Sequence, residues 1–313
     1  MLQTAARAPR AAPSSLDSLV ARMRELPALP GVALEALHLL HDEDYDVRAV
    51  AAVVSRDPVL AMRIVGMGNS PFFAIGMRTS CVKTSILRLG ERGTRGAILS
   101  VAIMNVFPTL PAPLDVRRFW TFGLASAICA RRLADDLDYP DRSAAYLGAL
   151  VHRLGEAFLA VSFPKRFGAA WRVAKQESLN LDDALHKEFG VYPSELCARV
   201  LERWDLAPSV VQAVRECRAP ETLSQQPILA LVLWTAGWVA TELGLGLEPP
   251  ENDRNVWSAG LTDHMHRELH ELGYARTLDY LLSSRDFVQD VRQLGRLVAG
   301  RPSPLSRARA LLR

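Results

Sequence analysis

Cysteine is scarce in this chain: four residues in 313, Cys81, Cys129, Cys197 and Cys217, with no Cys-x-x-Cys pair among them. That argues against a disulfide-stapled secreted scaffold and the common zinc-ribbon spacings. Three of the four fall in apolar-periodic stretches, where a free thiol acts as a small hydrophobe. The opening MLQTAARAPRAAPSS lacks the apolar core of a signal peptide. A run of bilayer length is also missing. The most apolar segment, ILALVLWTAGWVAT from Ile228 to Thr241, has 14 residues, against the roughly 20 that a span requires. A soluble, cytoplasmic chain with no membrane association is expected. A basic body is lacking too. Arg7 and Arg10 near the start, with Arg301, Arg307, Arg309 and Arg313 at the end, turn a formal −3 for the rest into the +3 of the whole. Basicity confined to the ends gives no face for nucleic acid, so none is expected as a partner.

Several catalytic signatures are missing as well. GMGNS (66–70) lacks the lysine and spacing of a phosphate loop, and no G-x-S-x-G elbow occurs. In DHMHRELH (263–270), His266 and His270 share a helix face, but Glu268 lies two residues after the first histidine. At 3.6 residues per turn that places it about 200° away, so a solvated polar face fits better than a zinc site.

What is present is helical periodicity almost everywhere, with no convincing strand pattern. Asp44 and Asp46 precede VRAVAAVVSR, and Asp57-Pro58 places an N-cap before a first-turn proline at the head of VLAMRIVGMGNS. Gly66 and Gly68 are expected to close that helix, with Asn69 and Ser70 turning the chain. Thr79 and Ser80 offer the next cap, and Gly90 an end to VKTSILRLG. PTLPAP (108–113) is the densest proline cluster and the best internal boundary. Helices are expected at about 115–137, 141–163, 164–178, 181–189, 193–204, 207–217 and 226–245. The fold class is all-α: a tail over 1–15, an N-terminal helical bundle over 16–107, a second bundle over 114–220, further helices over 221–298 and a basic tail over 299–313.

Four anchors then fall in a distinctive order: Leu-Pro in ELPALPGVALEALHLLHDED, Asp57-Pro58 and Asn69-Ser70 in VVSRDPVLAMRIVGMGNSPFF, and the Leu-Gly helix end in TSCVKTSILRLGERGTRGAILSVAI. With the segments that follow them, they resemble the HDOD family, an output domain related to HD phosphohydrolases, over residues 19–295. The resemblance implies an N-terminal helical bundle packed on an HD-like one. It also implies a metal site whose ligands this chain has largely lost. RFWTFGLASAICARRLA aligns Phe122 with the first histidine of the enzymes. YLGALVHRLGEAFLA keeps His152 but has Arg153 in place of the aspartate. Tyr192-Pro193 stands where Asp-His is frequent, and Cys217-Arg218 where His-His is.

A divalent metal needs converging oxygen and imidazole ligands with a compensating carboxylate. Phe122 and Pro193 donate nothing, and Arg153 is a permanent cation. No metal, no cofactor and no catalysis are therefore expected. Two roles remain open for Arg153. It could pair with an acid such as Glu156 or Glu195 as structural glue, or join Arg218 in binding an anion or nucleotide. A residual phosphohydrolase or phosphodiesterase is the weaker rival. The family likeness implies a bacterial signalling module that binds a protein partner, such as a receiver, kinase or cyclic-di-GMP protein, and homodimers are an option. Phe72, Phe73 and Ile75 in FFAIGM are the candidate contact surface.

Overall fold

Polar side chains set where the helices begin. In the computed structural model, which describes residues 16–22, 29–40, 44–70, 77–177, 179–217, 227–247, 280–284, 286–289 and 291–292, no strand occurs among those residues and the fold is all-α. The two tails, Phe72, Phe73 and Ile75, Arg218, and the His266/His270 pair lie outside the described residues.

The first block comprises α1 (Leu16–Arg22), α2 (Gly31–Leu39), α3 (Val47–Ser55), α4 (Pro58–Gly68) and the long α5 (Val82–Val106). Asp46 caps α3 by accepting from Arg48 N at 2.8 Å. Asp57 caps α4 by accepting from Val59 N and Leu60 N at 2.9 and 3.1 Å. Each satisfies amide donors that the first turn leaves orphaned. The N-cap of α5 is Cys81 rather than Thr79 or Ser80; Thr79 Oγ1 instead accepts from Cys81 N at 3.1 Å. Gly90 takes φ 67°, so it ends one helix as its sequence position suggests. The next residues resume helix at once, and α5 is two helices joined at a kink.

The second block comprises α6 (Val116–Asp136), α7 (Arg142–Val151), α8 (Leu154–Ser162), α9 (Pro164–Glu177), α10 (Leu181–Phe189), α11 (Pro193–Arg203), α12 (Pro208–Glu216) and α13 (Ile228–Ala240). The single helix expected over 141–163 is thus two, broken at His152 and Arg153. A π turn (Thr241–Leu245) carries α13 on to Leu245, where the helix expected over 226–245 ends, and this apolar helical run of 18 residues outlasts the 14-residue uncharged stretch. That run and Arg142–Ser162 are long and apolar enough to cross a membrane by length and composition, yet 72% and 89% of their apolar windows are buried in this core. Packing among helices accounts for their composition.

The two blocks share buried apolar side chains. Phe107, at the end of α5, meets Phe158 of α8 edge-on at 4.9 Å. Trp120, 1% exposed, donates from Nε1 to Phe107 O at 3.4 Å and stacks edge-to-face on Phe119 at 5.0 Å. Chain on both sides of the proline cluster therefore packs into one core.

Candidate functional site

The break between α7 and α8 places His152 and Arg153 side by side in the core, facing different neighbours. His152 is 6% exposed. Its Nδ1 lies 2.5 Å from Ala149 O; a carbonyl only accepts, so Nδ1 carries the hydrogen and Nε2 the lone pair. That lone pair faces an apolar wall. The Phe122 ring lies 5.6 Å away between centroids, and a side chain built at Gly237 of α13 would sit 3.1 Å from Nε2. Burial first, and the Arg153 charge second, push the imidazole pKa down to about 3, so the ring is neutral.

Arg153 points into a second cluster. Its Nε lies 2.8 Å from Glu156 Oε1 and its Nη1 3.0 Å from Asp182 Oδ2, the three side chains being 15%, 1% and 17% exposed. Burial works against the guanidinium charge, but Asp182 and Glu156 more than offset it. For Glu156, burial outweighs the attraction of Arg153 and, with Asp182 adding to it, raises the carboxyl pKa to about 8. At neutral pH this side chain holds its proton mostly in place, and neither of its oxygens makes a well-aligned hydrogen bond among the described residues. Cys217 borders the same group; burial pushes its thiol up to about 12, so it is not a thiolate. Cys197 closes the wall, its Sγ donating to Val151 O at 3.2 Å.

Backbone packing fixes this geometry. A Cβ at Gly155 would overlap the carbonyl of Pro193, so only glycine lets the start of α8 lie against the start of α11. Glu195, the alternative partner for Arg153, is used elsewhere: its Oε2 accepts from Tyr192 N at 3.0 Å. The Tyr192 ring stacks on His186 at 4.1 Å. Phe122 and His152 thus meet on one side, with Arg153 and Cys217 on the other. Asp182 was not legible in the sequence. In the first turn of α10 it reads as a helix-dipole acid, and nothing local says that it faces an arginine 29 residues earlier.

These residues do not fit a divalent metal. His152 directs its free lone pair at Phe122 and Gly237, and the position of the expected carboxylate holds a cation already engaged by two acids. Among the described residues, no three His, Cys, Asp or Glu side chains converge as metal ligands. The engagement of Arg153 also removes it as an open anion site.

The HDOD domain family model matches residues 26–220. A crystal structure of a "Putative phosphohydrolase" from Shewanella amazonensis aligns with a TM-score of 0.70 at 21% identity, covering 91% of this chain and 98% of that one. An HDOD domain protein with unknown function from Geobacter sulfurreducens aligns with 0.68 at 23%, covering 95% of each. A "Putative signal transduction protein" from Marinobacter aquaeolei aligns with 0.66 at 24%, covering 90% and 61%. At these identities the likeness is one of fold. An uncharacterised protein of Treponema pallidum is 23% identical over 210 residues, 63% of this chain but only 38% of its own length, so the match spans less than half of that relative.

Proposed function

The chain belongs to the HDOD family, and we propose that it serves as a non-catalytic regulatory module, cytoplasmic, acting through contact with another protein. The observation that carries the non-catalytic half is Arg153: a buried cation, held by Glu156 and Asp182, where an HD enzyme would place a metal-bridging carboxylate. Hydrolysis of a phosphodiester by metal-activated water needs ligands, an open coordination position and a route for solvent. Here the histidine lone pair is walled by Phe122, and the surrounding core is closed.

The contact half rests on the first block. Large apolar side chains are exposed there: Val59 and Met62, one turn apart on α4, Met77 in the segment leading to α5, and Leu87 on α5. Met62 and Met77 are 66% and 87% exposed, and a flexible, polarizable side chain suits an adaptable protein interface. In sequence the FFAIGM stretch falls between α4 and α5, and the described residues Asn69 and Thr79 on either side of it are joined by a side-chain clamp. Asn69 Nδ2 donates to Thr79 O at 2.7 Å, and its Oδ1 accepts from Thr79 N at 2.9 Å. Phe72, Phe73 and Ile75 remain candidates for the same surface.

The test is direct. The purified chain is incubated with Mn²⁺, Mg²⁺ or Zn²⁺, desalted, analysed for metal and assayed on a generic phosphodiester and on nucleotides. No stoichiometric metal and no turnover above solvent are expected. About one retained metal per chain together with turnover that His152→Ala abolishes would establish the residual phosphohydrolase instead.

A further inference from the structure

A second group of arginines stands outside this site. Between α5, α6 and α7 lies a cavity of about 260 Å³, with Arg92, Arg131 and Arg142 at its wall, each from a different helix, and Met67 and Leu89 among its apolar lining. Among the described residues no carboxylate lines it. Asp135 forms an ion pair with Arg142, and Asp141 caps α7 by accepting from Ala144 N at 2.9 Å. Ser143 adds a hydroxyl to the wall, and Tyr146, 5% exposed, buries its own hydroxyl there without a well-aligned hydrogen bond.

We propose that this cavity is a binding site for a small organic phosphate, its charged end on the three guanidinium groups and its body on the apolar lining. Arg142 is shared with Asp135, and an anion of nearly two charges is attracted by the arginine-bearing wall more strongly than a carboxylate of one. Guanidinium groups match phosphate oxygens in bidentate geometry. The volume falls just below the roughly 300–1,000 Å³ of drug-sized pockets, which limits the body to about one ring. The cavity also joins the two blocks of the fold: Met67 and Leu89 belong to the first, Arg131 and Arg142 to the second. This inference goes beyond the regulatory reading and stands whether or not a protein partner is identified.

Calorimetry on the full chain, with phenyl phosphate, inorganic phosphate, benzoate and phenol as probes, tests it. Phenyl phosphate should bind one to one and more tightly than each of the other three. Arg131→Ala should weaken it about 10-fold, as loss of one charge-assisted contact does. Gly93→Leu, checked by circular dichroism for retained fold, should abolish it by filling the space; a Cβ there meets only the Leu89 side chain, at 3.4 and 4.0 Å. A measurement on the unaltered chain avoids dependence on folding of the variants: phenyl phosphate should protect Arg92, Arg131 and Arg142 from phenylglyoxal, read by mass spectrometry. Absence of binding, benzoate binding as tightly, no protection, or affinity unchanged in both folded variants would each overturn the proposal.

Discussion

Arginine is used in two opposite ways within this fold. At the α7–α8 break, Arg153 is sunk among Glu156 and Asp182, its charge met from inside the protein. At the cavity between α5, α6 and α7, three arginines share an opening that no carboxylate lines among the described residues. A cation held between buried acids is a structural element and expensive to disturb; arginines that line a cavity can answer to something that arrives. The difference locates chemistry in this molecule better than the ancestry of either position does. The place that resembles an active site is closed, and the cavity lies where no enzyme motif points.

The largest effect that would sharpen the contrast is on stability. Arg153→Met strands the Asp182 carboxylate and removes the donor that faces Glu156, and breaking a buried pair from one side costs about 3–5 kcal/mol. Arg92→Ala, at an exposed position on the cavity wall, should cost no more than about 1 kcal/mol. Urea unfolding of the two variants compares them directly. Equal losses would show that the buried and open arginines are not different in kind.

Next in size is the pH dependence of the buried cluster. Glu156 has its pKa raised from 4.5 to about 8, so the folded chain holds a proton that the unfolded chain releases. Its contribution is fully present below pH 4.5 and is lost as pH rises toward 8. His152 is lowered from 6.5 to about 3; its contribution is present above 6.5 and is lost as pH falls toward 3. Between pH 4.5 and 6.5 the two slopes oppose, which leaves a plateau. Above 6.5 only Glu156 acts, and the loss there is on the order of a few kcal/mol. Glu156→Gln should therefore remove much of the decline between pH 6.5 and 8 and turn the plateau below 6.5 into a continuation of the acid limb. Parallel profiles for the two proteins would mean that the cluster holds no such proton.

The fold was largely legible because its signals are local. Asp46 and Asp57 as caps, Pro58 in a first turn, and Gly90 as an end to its helix can each be read from a few adjacent residues, and each stands so in the structure. The break at His152–Arg153 was visible as the end of one run but not as the start of another, since the apolar pattern continues through it. The helix expected over 226–245 stands as α13 and the π turn that continues it to Leu245. The candidate site was legible by type and not by partner. Loss of ligands at Phe122 and Arg153 follows from residue identity, whereas the engagement of Arg153 by Asp182 is a tertiary fact with no local trace. The cavity was invisible for the same reason: Arg92, Arg131 and Arg142 are unremarkable surface charges until three helices bring them to one wall.

The smallest expected effect on stability belongs to the exposed apolar side chains of the first block, and it bears most directly on how the protein acts. Val59 and Met62 are 44% and 66% exposed and one turn apart on α4. Asp57 holds the start of that helix, and the Asn69 clamp holds the chain beyond its end. Such side chains contribute little to the core, so Val59→Ser with Met62→Ser should change unfolding free energy by no more than about 0.5 kcal/mol. If they form part of a protein-binding surface, the same pair should cost far more in association, because a few well-placed apolar contacts dominate such interfaces. The measurement is paired. Circular dichroism and urea unfolding report the fold, while capture of partners from the native cell, compared with the unaltered chain and with Arg131→Ala, reports the contact. Loss of a specific partner in the α4 variant alone would place protein contact on the first block and separate it from the cavity. Loss in Arg131→Ala alone would place the response at the cavity, and the exposed face of α4 would then be ordinary surface.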